Sequence, residues 1–260
     1  MITNQDIALW SIDHPWQSAD QVEQDLLLSQ AICMIANDPL LGGQLVLRGG
    51  TAYHKLFLPQ PYRYSEDLDY IRTTSGGIGD VMKRLTSLGG ELGYKVNTKM
   101  GMYPKVIWKF EHASGTSGKI KIEINTFERS PMLPLKAVRH AVESGYCSES
   151  ASVPTFQVEE LVATKLRAIY QRSKGRDLYD LWLALTNLSI PPEAIVSAFP
   201  AYRPDGVTPE MMAENLKRKL SDEQFLHDID PLARQGTSEY DPLEAGRLVI
   251  EELLSRLDEN

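Results

Sequence analysis

Cysteine is scarce in this sequence. Cys33 and Cys147 are the two cysteines among 260 residues, and they form neither a CxxC pair nor a Cys/His cluster. A disulfide framework or a zinc site is therefore not expected. Cys33 lies in the apolar stretch 26–35, where a free cysteine is typically a small buried hydrophobe.

Long apolar runs are also missing. No run approaches the roughly 20 residues that span a bilayer, and residues 1–6 lack a basic segment followed by an apolar one. We therefore expect no membrane association and a cytoplasmic location. The chain also has no internal repeat and no low-complexity tract, so its composition is that of an ordinary globular protein.

An excess of positive charge is absent, since the formal net charge is −8. This charge argues against a protein that coats nucleic acid by bulk electrostatics, but it allows binding of nucleic acid by a local basic surface. Basic residues gather at 165–176 and at 217–219. We expect the second run to be a solvated helix face, because charge runs on helices usually are.

The pattern of apolar residues changes near the middle of the chain. Helices are predicted at 20–36, 51–58 and 80–92, and strands at 44–47, 67–71, 94–99, 105–111 and 119–127. After Pro154 the periodicity is helical, with helices predicted at 157–172, 176–187, 192–199, 208–220 and 241–258. Residues 148–152 are small and polar, which favours a boundary near 150–156 between an α/β half and a helical half.

A glycine turn and an aspartate strand carry the clearest chemical signal. Gly49, Gly50 and Thr51 follow the first predicted strand and open a helix, whose backbone N–H groups and dipole suit a phosphate. Asp67 and Asp69 are spaced i, i+2 on the next strand, so both carboxylates project from one face. This combination is typical of a divalent cation bound to a phosphate chain.

Glu123 is a candidate third carboxylate. The strand 119–125 alternates isoleucine with polar residues, which any half-buried antiparallel strand would also do. If this strand lies beside the aspartate strand, Glu123 can reach the same ion. Three carboxylates on adjacent strands suit in-line nucleotidyl transfer with Mg²⁺, or with Mn²⁺ in its place.

A second motif lies on the predicted C-terminal helices. Lys165 and Arg172 are seven residues apart and share a helix face, while Asp177 and Asp180 occupy the first turn of the next helix. Lys165 stands among apolar residues and needs a partner if it is buried. Two interpretations stay open: Lys165 contacts substrate phosphates, or these residues form an interhelical salt-bridge cluster.

The motifs occur in an order that resembles a known family. The segments Leu47 to Ala52, Arg63 to Asp69, Lys121 to Glu123 and Lys165 to Leu181 resemble the AbiEii toxins, over about residues 44–185. These are nucleotidyltransferase-like toxins of toxin-antitoxin and phage-defence operons, distantly related to DNA polymerase β-type enzymes. The resemblance implies an α+β fold, with a polymerase β-like mixed sheet and flanking helices followed by a helical C-terminal domain.

The same resemblance assigns roles to individual residues. It implies a nucleotidyltransferase α/β domain at 1–153 and a helical domain at 154–260 that closes the active-site cleft. Asp67, Asp69, Lys165 and Asp180 would be catalytic, and Asp67, Asp69 and Glu123 would hold the metal. The implied nucleotide-binding residues are Gly49, Gly50, Thr51, Arg63, Ser65, Arg172, Arg176 and Asp177.

The leading hypothesis is a metal-dependent nucleotidyltransferase. The resemblance implies transfer of NMP from an NTP to RNA, notably the 3′ end of tRNA, which would block translation, and it implies an antitoxin encoded nearby. A second hypothesis keeps this chemistry but moves the acceptor to a protein or a small molecule such as an aminoglycoside. A third is a non-catalytic nucleotide-binding module.

Overall fold

A computed structural model describes residues 2–236 and 240–258. The chain divides into two compact units, Met1–Phe156 and Gln157–Asn260. The predicted division after residue 153 falls slightly earlier, inside the last strand of the first unit. The functions predicted for the two halves stay predictions.

Unit 1 combines a seven-stranded sheet with four helices. The helices are α1 (Asn4–Asp13), α2 (Ala19–Asn37), α3 (Gly49–Leu56) and α4 (Gly79–Glu91). The strands are β1 (Leu45–Arg48), β2 (Asp67–Arg72), β3 (Lys95–Lys99), β4 (Lys105–Glu111), β5 (Ser117–Asn125), β6 (Lys136–Glu143) and β7 (Ser148–Thr155). The fold is α+β with a mixed sheet, as predicted.

The sheet has the strand order β3-β4-β5-β2-β1-β7-β6. Strand β2 is parallel to β5 and antiparallel to β1, while β1 is parallel to β7. The remaining neighbours are antiparallel. Strand β2 is therefore central, with the glycine turn after β1 on one side and the Glu123 strand on the other.

One sheet face is covered by helices. Leu68, Ile122 and Trp108 are fully buried on it, and the Trp108 indole N–H donates to the Leu85 carbonyl oxygen of α4 at 3.0 Å. Gly89 of α4 lies against this indole, since a Cβ there would come within 2.4 Å of the ring nitrogen. The period-two pattern of β4 and β5 thus buries one set of side chains and turns the polar set to the other face.

Three elements of unit 1 are absent from the sequence prediction. Helix α1 is short and weakly amphipathic, and a capping box between Thr3 and Asp6 starts it. Strands β6 and β7 carry small and polar residues, and β7 includes the segment 148–152 that we predicted as a boundary. Pairing between β6 and β7 and burial of Ala151 and Val153 determine these strands, and neither is a local signal.

The secondary-structure elements in the described residues of unit 2 are all helical, as predicted. Its helices are α5 (Val158–Gln171), α6 (Gly175–Thr186), α7 (Pro192–Ala198), α8 (Pro209–Lys219), α9 (Glu223–Leu226) and α10 (Pro242–Glu252), followed by a 3₁₀ turn at Leu254–Arg256. The helix predicted at 241–258 is thus shorter than expected. Within the described residues, no helix is both long enough and apolar enough to cross a membrane.

Candidate active site

The turn between β1 and α3 requires its glycines for different reasons. Gly49 has a φ of 78°, and a Cβ on it would come within 2.7 Å of Oδ2 of Asp69. A Cβ on Gly50 would lie 2.6 Å from a guanidinium nitrogen of Arg63. The backbone of the turn therefore approaches both the aspartate strand and Arg63 more closely than any larger residue allows.

The amino end of α3 is left without a side-chain cap. Arg48 holds the N-cap position in an extended conformation and makes no capping hydrogen bond. The first-turn N–H groups of a helix have no partner within the helix, and they carry its partial positive charge. This end of α3 is therefore suited to an anion such as a phosphate.

Thr51 and Ser65 join the turn to the aspartate strand. The Thr51 hydroxyl lies 2.5 Å from the Asp67 carbonyl oxygen and 2.8 Å from Oγ of Ser65. Thr51 is 1% exposed, so this contact is fixed inside unit 1. The structure thus brings together the predicted residues Thr51, Ser65 and Asp67.

Arg63 is buried, and its guanidinium donates to the Tyr64 carbonyl oxygen at 3.0 Å. Arg63 and Ser65 also line a cavity of about 250 Å³. Lys55 and Asp25 line the same cavity, where the Lys55 ammonium lies 2.8 Å from the Asp25 carboxylate, whose side chain is 2% exposed. The cavity is therefore lined both by two predicted site residues and by a buried ion pair.

The three predicted metal ligands lie on one sheet face. Asp69 of β2 is paired in register with Glu123 of β5, and Asp67 is paired with Lys121. Side chains at paired positions point to the same side of a sheet. The sequence prediction that Glu123 neighbours the aspartates is thus matched by the strand register, whereas the metal itself stays a prediction.

Two lysines accompany these carboxylates. Lys121 lies 2.8 Å from Oδ2 of Asp67, and Lys105 lies 2.7 Å from Oε2 of Glu123. Both pairs are partly exposed, with side-chain exposures between 25% and 35%, so water screens them. The carboxylates are therefore partly neutralised in this structure without being sealed from solvent.

Asp69 has the most perturbed environment of the three. Its burial in the sheet raises the pKa of its carboxyl above the ordinary value, and the charge of Asp67 raises it further. Arg48, at the paired position on β1, acts in the opposite direction. Crowded oxygen ligands of this kind gain from a hard divalent cation, which prefers carboxylate oxygen.

The helical motif of unit 2 forms a buried ion cluster. The Lys165 ammonium of α5 lies 2.8 Å from Oδ2 of Asp180 and 3.3 Å from Oδ1 of Asp177 on α6. Both aspartate side chains are 0% exposed, and that of Lys165 is 7% exposed. Of the two interpretations left open by the sequence, the structure contains the interhelical salt bridges, and phosphate contact stays untested.

Arg172 completes this cluster at the surface. Its guanidinium contacts both oxygens of Asp177, with Nε at 2.7 Å and a terminal nitrogen at 2.8 Å. Burial alone would raise the pKa of Asp177, but Lys165 and Arg172 outweigh it and hold that pKa below the ordinary value. Arg176 lies apart from these contacts, and its backbone N–H donates to Asp228 at 3.2 Å.

One polar cluster was not anticipated from the sequence. In the described part of the chain, Asp20, Glu23 and His112 bring ligand atoms within 4.8 Å of one another. Glu23 accepts from His112 Nδ1 at 3.2 Å and from the Ala113 N–H at 2.9 Å, and Asp20 accepts from Thr116 at 2.7 Å. These hydrogen bonds tie the β4–β5 hairpin to α2.

Sequence reasoning assigned no site role to Arg48, Lys105 or Lys121, although Arg48 and Lys121 lie inside two of the motif segments. Arg48 forms an ion pair with Glu128 at 3.2 Å and stands directly before the glycines. Lys105 and Lys121 occupy the polar positions of β4 and β5. The period-two alternation of these strands could have indicated both lysines, but only the register shows which carboxylate each one meets.

Comparison with known proteins decides the family. A family model described as "Nucleotidyl transferase AbiEii toxin, Type IV TA system" matches residues 32–246, which is most of the chain. The chain belongs to this family. It is therefore a nucleotidyltransferase toxin of the type IV toxin-antitoxin class, and an NTP co-substrate and a cognate antitoxin follow from that membership.

A solved structure with a TM-score above 0.5 shows the same fold. The nucleotidyltransferase toxin MenT4 of Mycobacterium tuberculosis is similar over 99% of this chain and 91% of its own, with a TM-score of 0.66 and 17% identity. An antigenic nucleotidyltransferase-like protein from Paracoccidioides brasiliensis matches over 82% of this chain and 93% of its own, with a TM-score of 0.44 and 16% identity. No curated protein matches the sequence.

Proposed function

We propose that this AbiEii-family chain uses Mg²⁺, or Mn²⁺ in its place, to transfer NMP from an NTP to a hydroxyl of RNA, with the 3′ end of tRNA as the acceptor. The observation that carries the proposal is the common sheet face of Asp67, Asp69 and Glu123. Close approach of Gly49 to Asp69 places an uncapped helix end beside these carboxylates. Cation and phosphate ligands are thus adjacent within one unit.

The residues present fit a divalent cation. Asp67 and Asp69 supply hard oxygen ligands, and the raised pKa of Asp69 marks a site where a positive charge is favourable. Glu123 is the third ligand if Lys105 releases it. When bound, such an ion would neutralise phosphate charge and make the acceptor hydroxyl more acidic.

The chain's own groups position the triphosphate. In our proposal the N–H groups of Gly50 and Thr51 bind phosphate oxygens, and Ser65 donates a hydrogen bond from the other side of the turn. The acceptor hydroxyl passes its proton to solvent water, and its oxygen bonds to the α-phosphorus. The bond from that phosphorus to the β-phosphate oxygen breaks, and pyrophosphate leaves.

Unit 2 is proposed to contribute through its ion cluster. Asp177 and Asp180 hold the Lys165 ammonium in one place, which would pre-organise it for contact with a phosphate. Arg172 is half-exposed and would offer a second positive charge. Catalytic roles for Lys165 and Asp180 are part of this proposal.

Incorporation of label from α-labelled NTP tests the function. Separate incubations with total RNA, cell protein and an aminoglycoside should label RNA alone, and label in another pool would move the acceptor to that class. Asp67→Asn should reduce incorporation by more than about 100-fold, because loss of groups that merely support metal ligands already costs roughly 10 to 100-fold. Robust transfer by this variant, at unchanged thermal stability, would refute the mechanism.

Expression in cells provides a second readout. Induction of the wild-type chain should arrest growth, and Asp67→Asn should abolish the arrest. Since tRNA and NTP are met in the cytoplasm, we propose that the toxin acts there, and that its operon serves in phage defence. Aminoacylated tRNA should fall on induction if the tRNA 3′ end is the acceptor.

A further inference from the structure

The sheet carries a concentration of positive charge that the overall composition conceals. Residues 95–139 contain nine Lys and Arg, three Glu and no Asp, for a formal charge of +6, within a chain of formal charge −8. Six of the nine lie on β3, β4 and β5, the three strands on one side of the aspartate strand, and Lys136 and Arg139 lie on β6 at the opposite edge. The rest of the chain is therefore strongly acidic.

The register aligns three of these lysines in one row. Lys95 of β3 is paired with Lys109 of β4, which is paired with Lys119 of β5. All three side chains are exposed. Like charges directly opposite one another on neighbouring strands destabilise a sheet. The three lysines therefore lower the stability of the sheet, and a stabilising role does not explain why they are there.

A second row runs from lysine into the candidate active site. Lys99, Lys105 and Glu123 are paired across β3, β4 and β5, and Glu123 is paired with Asp69 of β2. The first row lies four residues away on each strand, and it is on the same face because side chains alternate with a period of two. One face therefore carries both the lysines and the carboxylates.

Protection of a sheet edge explains only part of this pattern. Strand β3 is the edge, and exposed lysines on an edge strand discourage pairing with other chains. Lys109 and Lys119 lie on interior strands, where no such protection is needed. Nor do these lysines form ion pairs with acidic residues in the part of the chain that the structure describes.

An exposed aromatic pair lies at the other end of the same strands. Tyr103, in the β3–β4 turn, is 41% exposed, and Phe127, just after β5, is 64% exposed. Their ring centroids are 6.3 Å apart in an edge-to-face arrangement. Exposed aromatic rings beside a basic track are the features with which proteins bind single-stranded nucleic acid.

We propose that the β3–β4–β5 face is the docking track for the RNA acceptor, with Lys95, Lys109 and Lys119 contacting backbone phosphates and Tyr103 with Phe127 stacking on bases near the 3′ end. The proposal rests on the proposed function, since it supplies the route by which the 3′ hydroxyl reaches Asp67 and Asp69. Charge complementarity and continuity with the carboxylate face favour RNA as the occupant.

Removal of the lysine row tests the track by equilibrium binding. The probe is a fluorescent RNA hairpin with a four-nucleotide single-stranded 3′ end, measured by anisotropy between about 50 and 300 mM salt. The triple variant Lys95→Gln, Lys109→Gln, Lys119→Gln should bind at least about 10-fold more weakly, and the slope of log K against log salt should fall by roughly 2 to 3. Replacement of the three by arginine should retain binding.

A charge-matched variant provides the control. Lys83→Gln, Lys136→Gln and Arg139→Gln remove three exposed charges from α4 and β6 of the same unit and should leave affinity within about 2-fold, since α4 covers the other sheet face and β6 is the opposite edge strand. If RNA affinity falls equally in both triple variants, the effect comes from the net charge of the protein, and the proposal is overturned. Wild-type affinity in the lysine-row variant, or a track that binds acidic protein and not RNA, would also overturn it.

A second substitution separates base contacts from phosphate contacts. Tyr103→Ala with Phe127→Ala should weaken binding by about 5-fold or more with little change in salt slope. Asp67→Asn should bind the hairpin like the wild type while losing transfer, so failure of the proposed function is seen in the transfer assay alone. Unchanged melting temperature of the lysine-row variant shows that lost binding is not lost folding.

Discussion

Removal of the Lys165 ammonium should destabilise unit 2, whatever its effect on transfer activity. In Lys165→Met, Asp180 loses the cation 2.8 Å from it and Asp177 loses one 3.3 Å away, while both carboxylates stay 0% exposed. Breaking a buried ion pair from one side costs about 3–5 kcal/mol, because a charge remains in a poorly solvated place. We expect a loss in this range.

Two comparison variants make the reasoning testable. Arg172→Met removes a cation from the same Asp177, but Arg172 is 50% exposed, so water can replace much of its interaction and the loss should be about 1 kcal/mol or less. In Lys165→Met with Asp180→Asn, the negative charge of residue 180 is removed together with the ammonium that faced it. This double variant should recover about 1–3 kcal/mol of the loss.

Urea unfolding combined with hydrogen exchange on peptides from α5 and α6 measures the effect locally. Faster exchange confined to these helices in Lys165→Met, with partial recovery in the double variant, is the expected result. Lys165→Met within about 0.5 kcal/mol of the wild type would refute the claim that the cluster stabilises unit 2. Absent transfer activity in a folded double variant would support the proposed role of the Lys165 and Asp180 pair in transfer.

Two further predictions concern pH and the glycine turn. Lys165 and Arg172 hold the pKa of Asp177 below its unfolded value, so the free energy of unfolding of the wild type should exceed that of Asp177→Asn by a constant amount above about pH 5. This difference should shrink as pH falls below about 4. Urea midpoints of both proteins from pH 7 to 3 measure it, and a pH-independent difference would contradict the prediction. Gly49→Ala should lower the melting temperature more than Gly76→Ala does. Both glycines have positive φ, but of the two only Gly49 has a neighbouring atom within contact distance of an added Cβ. Equal melting temperatures would show that the close approach to Asp69 is unimportant for stability.

The sequence anticipated the central strands and the helical unit because their signals are local. The isoleucine alternation at 120–124 and the apolar periodicity of 157–172 each follow from a single element, and both elements form where predicted. Strands β6 and β7 could not be found this way. Their residues are polar or small, and pairing with one another and with β1 makes them strands.

The sequence also predicted which residues form the candidate site, but it did not predict which of them contact one another. Spacing alone places Asp67 and Asp69 on one face, and motif order led to the AbiEii family that the family model confirms. Strand order is a long-range property, so only the structure pairs Asp69 with Glu123 and brings Lys121 to Asp67. The same holds for Lys165, whose choice of partners depends on how α5 and α6 pack.

The sequence by itself therefore determined which chemical groups are present: a glycine turn, paired carboxylates and a lysine motif, together with the family to which they belong. Tertiary structure alone decided which charges meet. Lys95, Lys109 and Lys119 are dispersed over 25 residues and attract no notice as a sequence, yet the register of three strands aligns them in one row. Charge interactions depend on distance in space, and only the fold sets that distance.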